Sequence, residues 1–354
     1  MEDMTLRPAK QPLVPSHVTP QGQRDSVLVP VVIPTRPVIT AQSPIISTGK
    51  LPFIEANTSE VTLEHLKREC IIPVFSKDNE ETIAHQSFIE TIYEAACAVF
   101  IGERVETPSI RVSHVVKGRI PEAIHKPASQ LLKHEKTIYY ERMMFAMEIP
   151  TIYREIDGNR LNLMIGGVRA YNQENLYSKK TAEKFKLFIG FNNLVCCNLC
   201  VSTDGYNACL KAMCIANLYK SAVELFRNYN MDMHLSRMDT YRNYHMSESQ
   251  FAQFLGKCRL YQYLPGAEKK ALPPMQMTDT QISLVANAYF NDPSFCKDSE
   301  TRKISLWKVF NLLTGANKSS YIDNFLDRAL NAGELATGLC RAFEGDEEYS
   351  WFLS

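Results

Sequence analysis

An excess of charge of either sign is missing from this chain: 39 Lys and Arg are matched by 39 Asp and Glu across 354 residues. A neutral chain has no global pull toward nucleic acid or a membrane surface, so any such affinity has to come from a local patch. Long apolar runs are missing too. No stretch approaches the ~18 consecutive apolar residues of a membrane-spanning helix, and the first residues do not join a basic segment to an apolar block and a small-residue cleavage site. These absences predict a soluble, cytoplasmic protein with no membrane partner. Aromatic residues are absent from residues 1–50, which hold eight of the 18 prolines. Such a stretch cannot bury enough surface to offset the entropy of ordering itself. It is predicted to be a disordered arm, with one short edge strand at most, over residues 27–33.

Signatures of catalysis are equally scarce. The 8 histidines never fall at the spacing of a metal-binding His-Glu-x-x-His helix, and no Gly-x-Ser-x-Gly turn is present. Gly315, Ala316, Asn317, Lys318 and Ser319 look like the end of a phosphate-binding loop. However, Asn317 and Leu312 stand where that loop needs glycine, and the preceding segment reads as helix. No cofactor is expected, and no catalytic residue can be named.

What the chain does have is apolar material, 45% of its residues, which is ample for a core. Thr58 or Ser59 is expected to cap a helix carrying Val61, Leu63, Leu66 and Cys70. Ile83, Phe88, Ile89, Ile92, Ala95, Ala96 and Val99 recur at three-and-four spacing and predict a helix over 80–100. A strand follows over 110–116, then a short helix over 127–135 with Leu131 and Leu132 inward. In the run 138–148 neither parity is wholly polar, which predicts a strand covered on both faces. Asp157 and Gly158 predict a tight hairpin, and Asn192 with Asn193 a turn between strands at 185–191 and 194–201.

After Gly205 the pattern becomes helical. Helices are predicted over 208–230, 248–263 (capped by Ser247 and Gln250), 280–290, 305–313 and 320–332, the last with Asp323 completing a Ser-x-x-Asp cap. The fold class is α+β: a central antiparallel sheet, N-terminal helices and a mainly helical C-terminal half. Three regions are expected: the arm 1–50, a sheet domain 51–205, and a helical region 206–354 packed on it.

Two groups of residues stand out as functional candidates. Cys197 with Cys200, and Cys209 with Cys214, have the soft ligands of a tetrahedral zinc site. The apolar flanks Leu194, Val195, Leu199 and Val201 instead predict that these thiols and Cys196 pack a core, and no metal is expected. The second group is basic. Residues 111–190 carry 14 Lys and Arg against 8 Asp and Glu. Arg169, Tyr171, Tyr177, Lys179, Lys180 and Lys184 combine phosphate-neutralising cations with rings that stack on unpaired bases, and are the candidate nucleic-acid-binding residues. A sheet edge guarded by lysines would have the same composition.

The strings HEKTIYYERMMFAMEIP (134–150), IGGVRAYNQENLYSKKTAEKFKLFIGFNNLVCCNLCVSTDG (165–205) and NKSSYIDNFLDR (317–328) resemble an uncharacterised family of domain-of-unknown-function proteins of Bacteroidetes. Members of that family are carried on chromosomes and on mobile elements. Val195, Cys196, Cys197 and Asn198, with Trp307, Asn311 and Thr314, are more loosely similar to a phage/plasmid-like group. The resemblance implies a mobile-element accessory protein and assigns no catalytic residue. Together with the basic stretch it suggests a non-catalytic protein that binds single-stranded or duplex DNA. Two alternatives stand beside this: a regulatory or anti-defence protein that binds a host protein through the helical half and the acidic run 344–348, and a zinc- or thiol-dependent enzyme built on the cysteines.

Overall fold

A computed structural model describes residues 52–71, 82–173, 182–296, 298 and 300–354. The Pro-rich arm and its suggested edge strand lie outside them. In the first half the elements are β1 (Ser59–Val61), α1 (Leu63–Glu69), α2 (His85–Val99), β2 (Ser109–Val112), β3 (Val115–Arg119), β4 (Lys136–Tyr140), β5 (Arg142–Ile156), β6 (Asn159–Ala170), β7 (Glu183–Asn193) and β8 (Asn198–Ala212). There follow α3 (Ile215–Asn228), α4 (Met231–Thr240), β9 (His245–Ser247), α5 (Glu248–Tyr261), α6 (Gly266–Lys270), α7 (Asp279–Asn291), β10 (Lys303–Ser305), α8 (Leu306–Asn317) and α9 (Ile322–Phe343).

The organising layer is a six-stranded sheet in the order β1-β2-β5-β6-β7-β8, antiparallel at every junction. Both of its faces are covered. On one, Phe145, Leu163, Leu187 and Ile189 meet Phe88 and Ile92 of α2 and Leu218 of α3. On the other, Met144, Ala146, Val168, Phe188 and Val201 meet Phe325, Leu326 and Ala329 of α9. This is why neither parity of β5 is polar: odd residues face one helical layer and even residues the other. Each of these larger side chains contributes roughly 1.5–3 kcal/mol by leaving water. Gly167 lets α2 come down onto the sheet, since a Cβ there would lie 2.5 Å from the Phe88 ring. Phe88 in turn meets Phe145 edge-to-face, with centroids 5.1 Å apart.

Local signals place several elements where they were expected. Asp157 (φ 50°) and Gly158 (φ 71°) form the β5–β6 turn with the positive angles such a hairpin needs. Ser247 and Gln250 cap α5 reciprocally, through Gln250 N–H to Ser247 Oγ (3.2 Å) and Ser247 N–H to Gln250 Oε1 (2.9 Å). The class is α+β, with the C-terminal half mostly helical.

Other elements differ from expectation, each for a tertiary reason. The predicted strand over 138–148 breaks at Glu141: β4 pairs with β3 in a separate two-stranded sheet, while β5 joins the main one. The segment 127–135 forms two 3-10 turns rather than a helix, and Leu132 points to solvent. Asn193 is the last residue of β7, so the turn is Leu194 to Cys197, with Cys197 at φ 53°. The Asn193 carboxamide accepts from Val195 N–H at 3.0 Å and donates to Asn311 of α8 at 2.8 Å, which ties the turn to the helical half. β8 runs on through Gly205 to Ala212, held by pairing with Glu183 to Phe185, so the next helix begins only at Ile215. The sheet and helical regions therefore share a strand, within one compact unit. The first helix is capped by Thr62 rather than Thr58 or Ser59. Finally, α9 starts at Ile322 and continues to Phe343; Asp323 does not cap it but accepts from Arg142 Nε at 2.9 Å.

Candidate functional site

Among the described residues, Arg169, Arg142 and Lys186 of the sheet are turned onto acids of the same chain. Arg169 is fully buried under α2, where it donates to Glu183 Oε2 (2.5 Å) and to Ile83 O (3.1 Å) and lies over the Phe185 ring at 4.3 Å. Tyr171 is buried beside it, stacked on His85 at 4.7 Å. Neither can meet a nucleic-acid strand. Lys184 is exposed and reaches Gln173 O at 3.3 Å, and Tyr177, Lys179 and Lys180 lie outside the described residues. On the opposite face Lys186 donates to Asp327 Oδ2 at 2.6 Å and Arg142 reaches Asp323 Oδ1 at 2.8 Å. Two cations of the local excess, Arg142 and Lys186, are thus paired with acids of α9, while Arg169 pairs with Glu183 of the same stretch.

The thiols scatter as well. Cys200 is buried, Cys196 and Cys197 are half-buried in the β7–β8 turn, and Cys209 and Cys214 are exposed. The Leu194–Cys197 turn takes Cys196 and Cys197 out of the apolar strand that was expected to bury them, while Cys209 lies on an exposed position of β8 and Cys214 ahead of α3. Burial pushes the Cys196 thiol up to about 12, so it is not a ready nucleophile. Among the described residues no group of three His, Cys, Asp or Glu is placed to hold a metal ion.

A cleft of about 280 Å³ opens instead between β8, α4, α8 and α9. Its floor is Val201 and Phe310, its sides are His234 and Arg237 of α4 and Glu334, Thr337 and Arg341 of α9, and Tyr349 stands at its rim. Sequence reasoning missed α4 altogether and stopped α9 too early. Had the helix been extended past Ala332, the signal was there: Glu334, Thr337 and Arg341 recur at three-and-four spacing between the buried Leu335, Ala336 and Leu339.

The hydroxyls and the imidazole of the cleft are held in place. Tyr241 OH lies 2.8 Å from Thr337 Oγ1 and 3.2 Å from Gly333 O. His234 Nδ1 lies 2.6 Å from Tyr229 OH. Burial lowers the His234 pKa to about 4 against the pull of Asp204, and Arg237 nearby lowers it further. At neutral pH the ring is therefore uncharged.

The charges are less evenly matched. Arg341 is paired with Glu348 at 3.0 Å and Asp346 at 3.5 Å. Half-burial raises the Glu334 pKa, with a hydrogen bond from Asn331 opposing. Arg237 is half-buried, and its guanidinium has neither an ion pair nor a hydrogen bond among the described residues. A guanidinium in a cleft without a partner is an anion-binding group in waiting, because its fork of donors matches carboxylate and phosphate.

Residues 36–353 match the model of the family described as "Domain of unknown function, B. Theta Gene description (DUF3871)", and the chain belongs to that family. No curated protein and no solved structure matches it.

Proposed function

We propose that this member of the family is a binding protein whose cleft between α4 and α9 takes a small molecule with one anionic group and at least one hydrogen-bond donor. The unpartnered Arg237 carries this reading. The anion would sit on its guanidinium, and a hydroxyl or amine at the other end of the ligand would meet Glu334 or the neutral His234. A cavity near 300 Å³ is at the small end for ligand sites, which favours a metabolite over a polymer.

Thermal unfolding of the whole protein with sugar phosphates and hydroxycarboxylates, inorganic phosphate serving as the minimal probe, tests the reading. A concentration-dependent rise in Tm that is lost in Arg237→Ala supports it. No shift at millimolar concentration, or one that Arg237→Ala retains, overturns it.

The DNA-binding reading has narrower support: Lys184 alone of its six residues is both described and exposed. Binding of a host protein through the acidic tail also loses ground. Asp346 and Glu348 are engaged with Arg341, and Glu344 accepts from Tyr244 OH. Association with mobile elements rests on the sequence resemblance.

A further inference from the structure

The cleft between α4 and α9 holds a second open group one turn before Arg237. His234 is 3% exposed and lines the cleft. Its Nδ1 is taken by Tyr229 OH at 2.6 Å. Nε2 has no hydrogen-bond partner among the described residues and yet keeps accessible surface, which opens on the cleft. A buried imidazole held at one nitrogen and bare at the other is a positioned group that a ligand can complete.

The surroundings allow this ring to change charge. A phenol can donate to Nδ1 or accept from it, so an added proton costs no hydrogen bond on that side. Near the ring stands Asp204 of β8, whose Oδ1 accepts from Ser202 Oγ at 2.7 Å and whose Oδ2 accepts from Asn230 N–H at 2.9 Å. Burial works to raise the Asp204 carboxyl, but these hydrogen bonds outweigh it and hold the group below the ordinary carboxylate range. Asp204 is thus ionised and favours a charged His234, while burial and Arg237 keep the ring neutral. From β7 the ring meets Phe191, with centroids 5.8 Å apart. The other charged groups of the cleft come from α9: Glu334, and Arg341, which is already paired with Asp346 and Glu348. An anion on Arg237 cancels the opposing charge and sets one of favourable sign beside the imidazole. Anion and proton then assist each other's binding, by the reciprocity of linked equilibria.

We propose that the cleft takes up its anion together with one proton, held on the His234 imidazole, so that the anion lies between the Arg237 guanidinium and Nε2–H. This rests on the reading of the cleft as an anion site and narrows it: His234 goes to the anion, and Glu334 is left for the donor group of the ligand. Calorimetric titration of the full chain with sulfate, which does not itself titrate near neutrality, tests it. Buffers of different ionisation enthalpy then count the protons taken up. From about pH 7.5 to about pH 5.5 affinity should rise at least about threefold, with net proton uptake. His234→Gln should lose both the rise and the uptake, and Glu334→Gln should keep them. The proton count on the native sequence remains decisive if His234→Gln fails to fold. Saturable binding without proton uptake overturns the inference and leaves the anion site standing, as does uptake that His234→Gln retains. Absence of saturable sulfate binding at both pH values also overturns it, and the anion-site reading falls with it if inorganic phosphate fails as well.

Discussion

Arg169 Nη2 and Glu183 Oε2 lie 2.5 Å apart beneath α2, closing an ion pair in which both residues are buried. The carboxylate also receives Ile83 N–H at 3.1 Å while the guanidinium donates to Ile83 O. The pair thus clamps the chain just ahead of α2 to the β6–β7 end of the sheet. Glu183→Ala leaves a buried cation short of its counter-charge and should cost about 3–5 kcal/mol. Replacing both residues by Met should recover much of that loss. Urea unfolding of the single and double variants measures it, and a double variant no more stable than the single one would contradict the account.

His85 and His234 set a dependence on acid. Burial lowers their pKa values to about 3 and about 4, so both are neutral in the native protein, whereas in the unfolded chain they take up protons below about 6.5. Stability should therefore hold at neutral pH and fall as pH drops from about 6.5. The His234 share, roughly 3 kcal/mol, is lost by about pH 4, and that of His85 continues to fall to about pH 3. Denaturant unfolding at stepped pH should show this slope in the native sequence and a shallower one in His234→Gln.

Gly338 sits under the ring of Tyr349, and a Cβ there would come within 2.3 Å of it. Gly338→Ala should cost about 1–3 kcal/mol by overpacking, and it should displace the tyrosine from the rim of the Arg237 cleft. Gly256, exposed in α5 with nothing within 4 Å of a Cβ, should respond oppositely, with Gly256→Ala stabilising by about 0.5–1 kcal/mol. Thermal unfolding of the two variants checks the contrast in sign.

Thiol labelling of the native protein followed by peptide mass spectrometry should modify Cys97, Cys209 and Cys214, which are exposed, ahead of the others. Cys200 and Cys258 are fully buried, and burial pushes their thiols up. They should react only once the chain is unfolded. Early modification of Cys200 would mean that the β7–β8 end opens in the native state.

The helix α2, the Asp157–Gly158 turn, the Ser247–Gln250 cap and the two-sided covering of β5 were legible because each signal lies within a few residues. The basic stretch misled for the opposite reason. A lysine or arginine in a strand has the same local pattern whether it faces water or an acid from elsewhere. The acid that takes Arg142 is 181 positions away and the one that takes Lys186 is 141 away. The Asn192–Asn193 turn was displaced in the same way: Asn193 Nδ2 donates a hydrogen bond to Asn311 Oδ1, 118 residues further on.

By itself, then, the order of residues determined the α+β class and the apolar faces, since backbone angles, capping and side-chain period act over one turn or one pleat. Only the tertiary structure decided which charges are neutralised inside the molecule and which are left over. Arg169 was consumed and Arg237 was not. Desolvation and ion pairing depend on which distant segments meet, and neither is written in the spacing of neighbours.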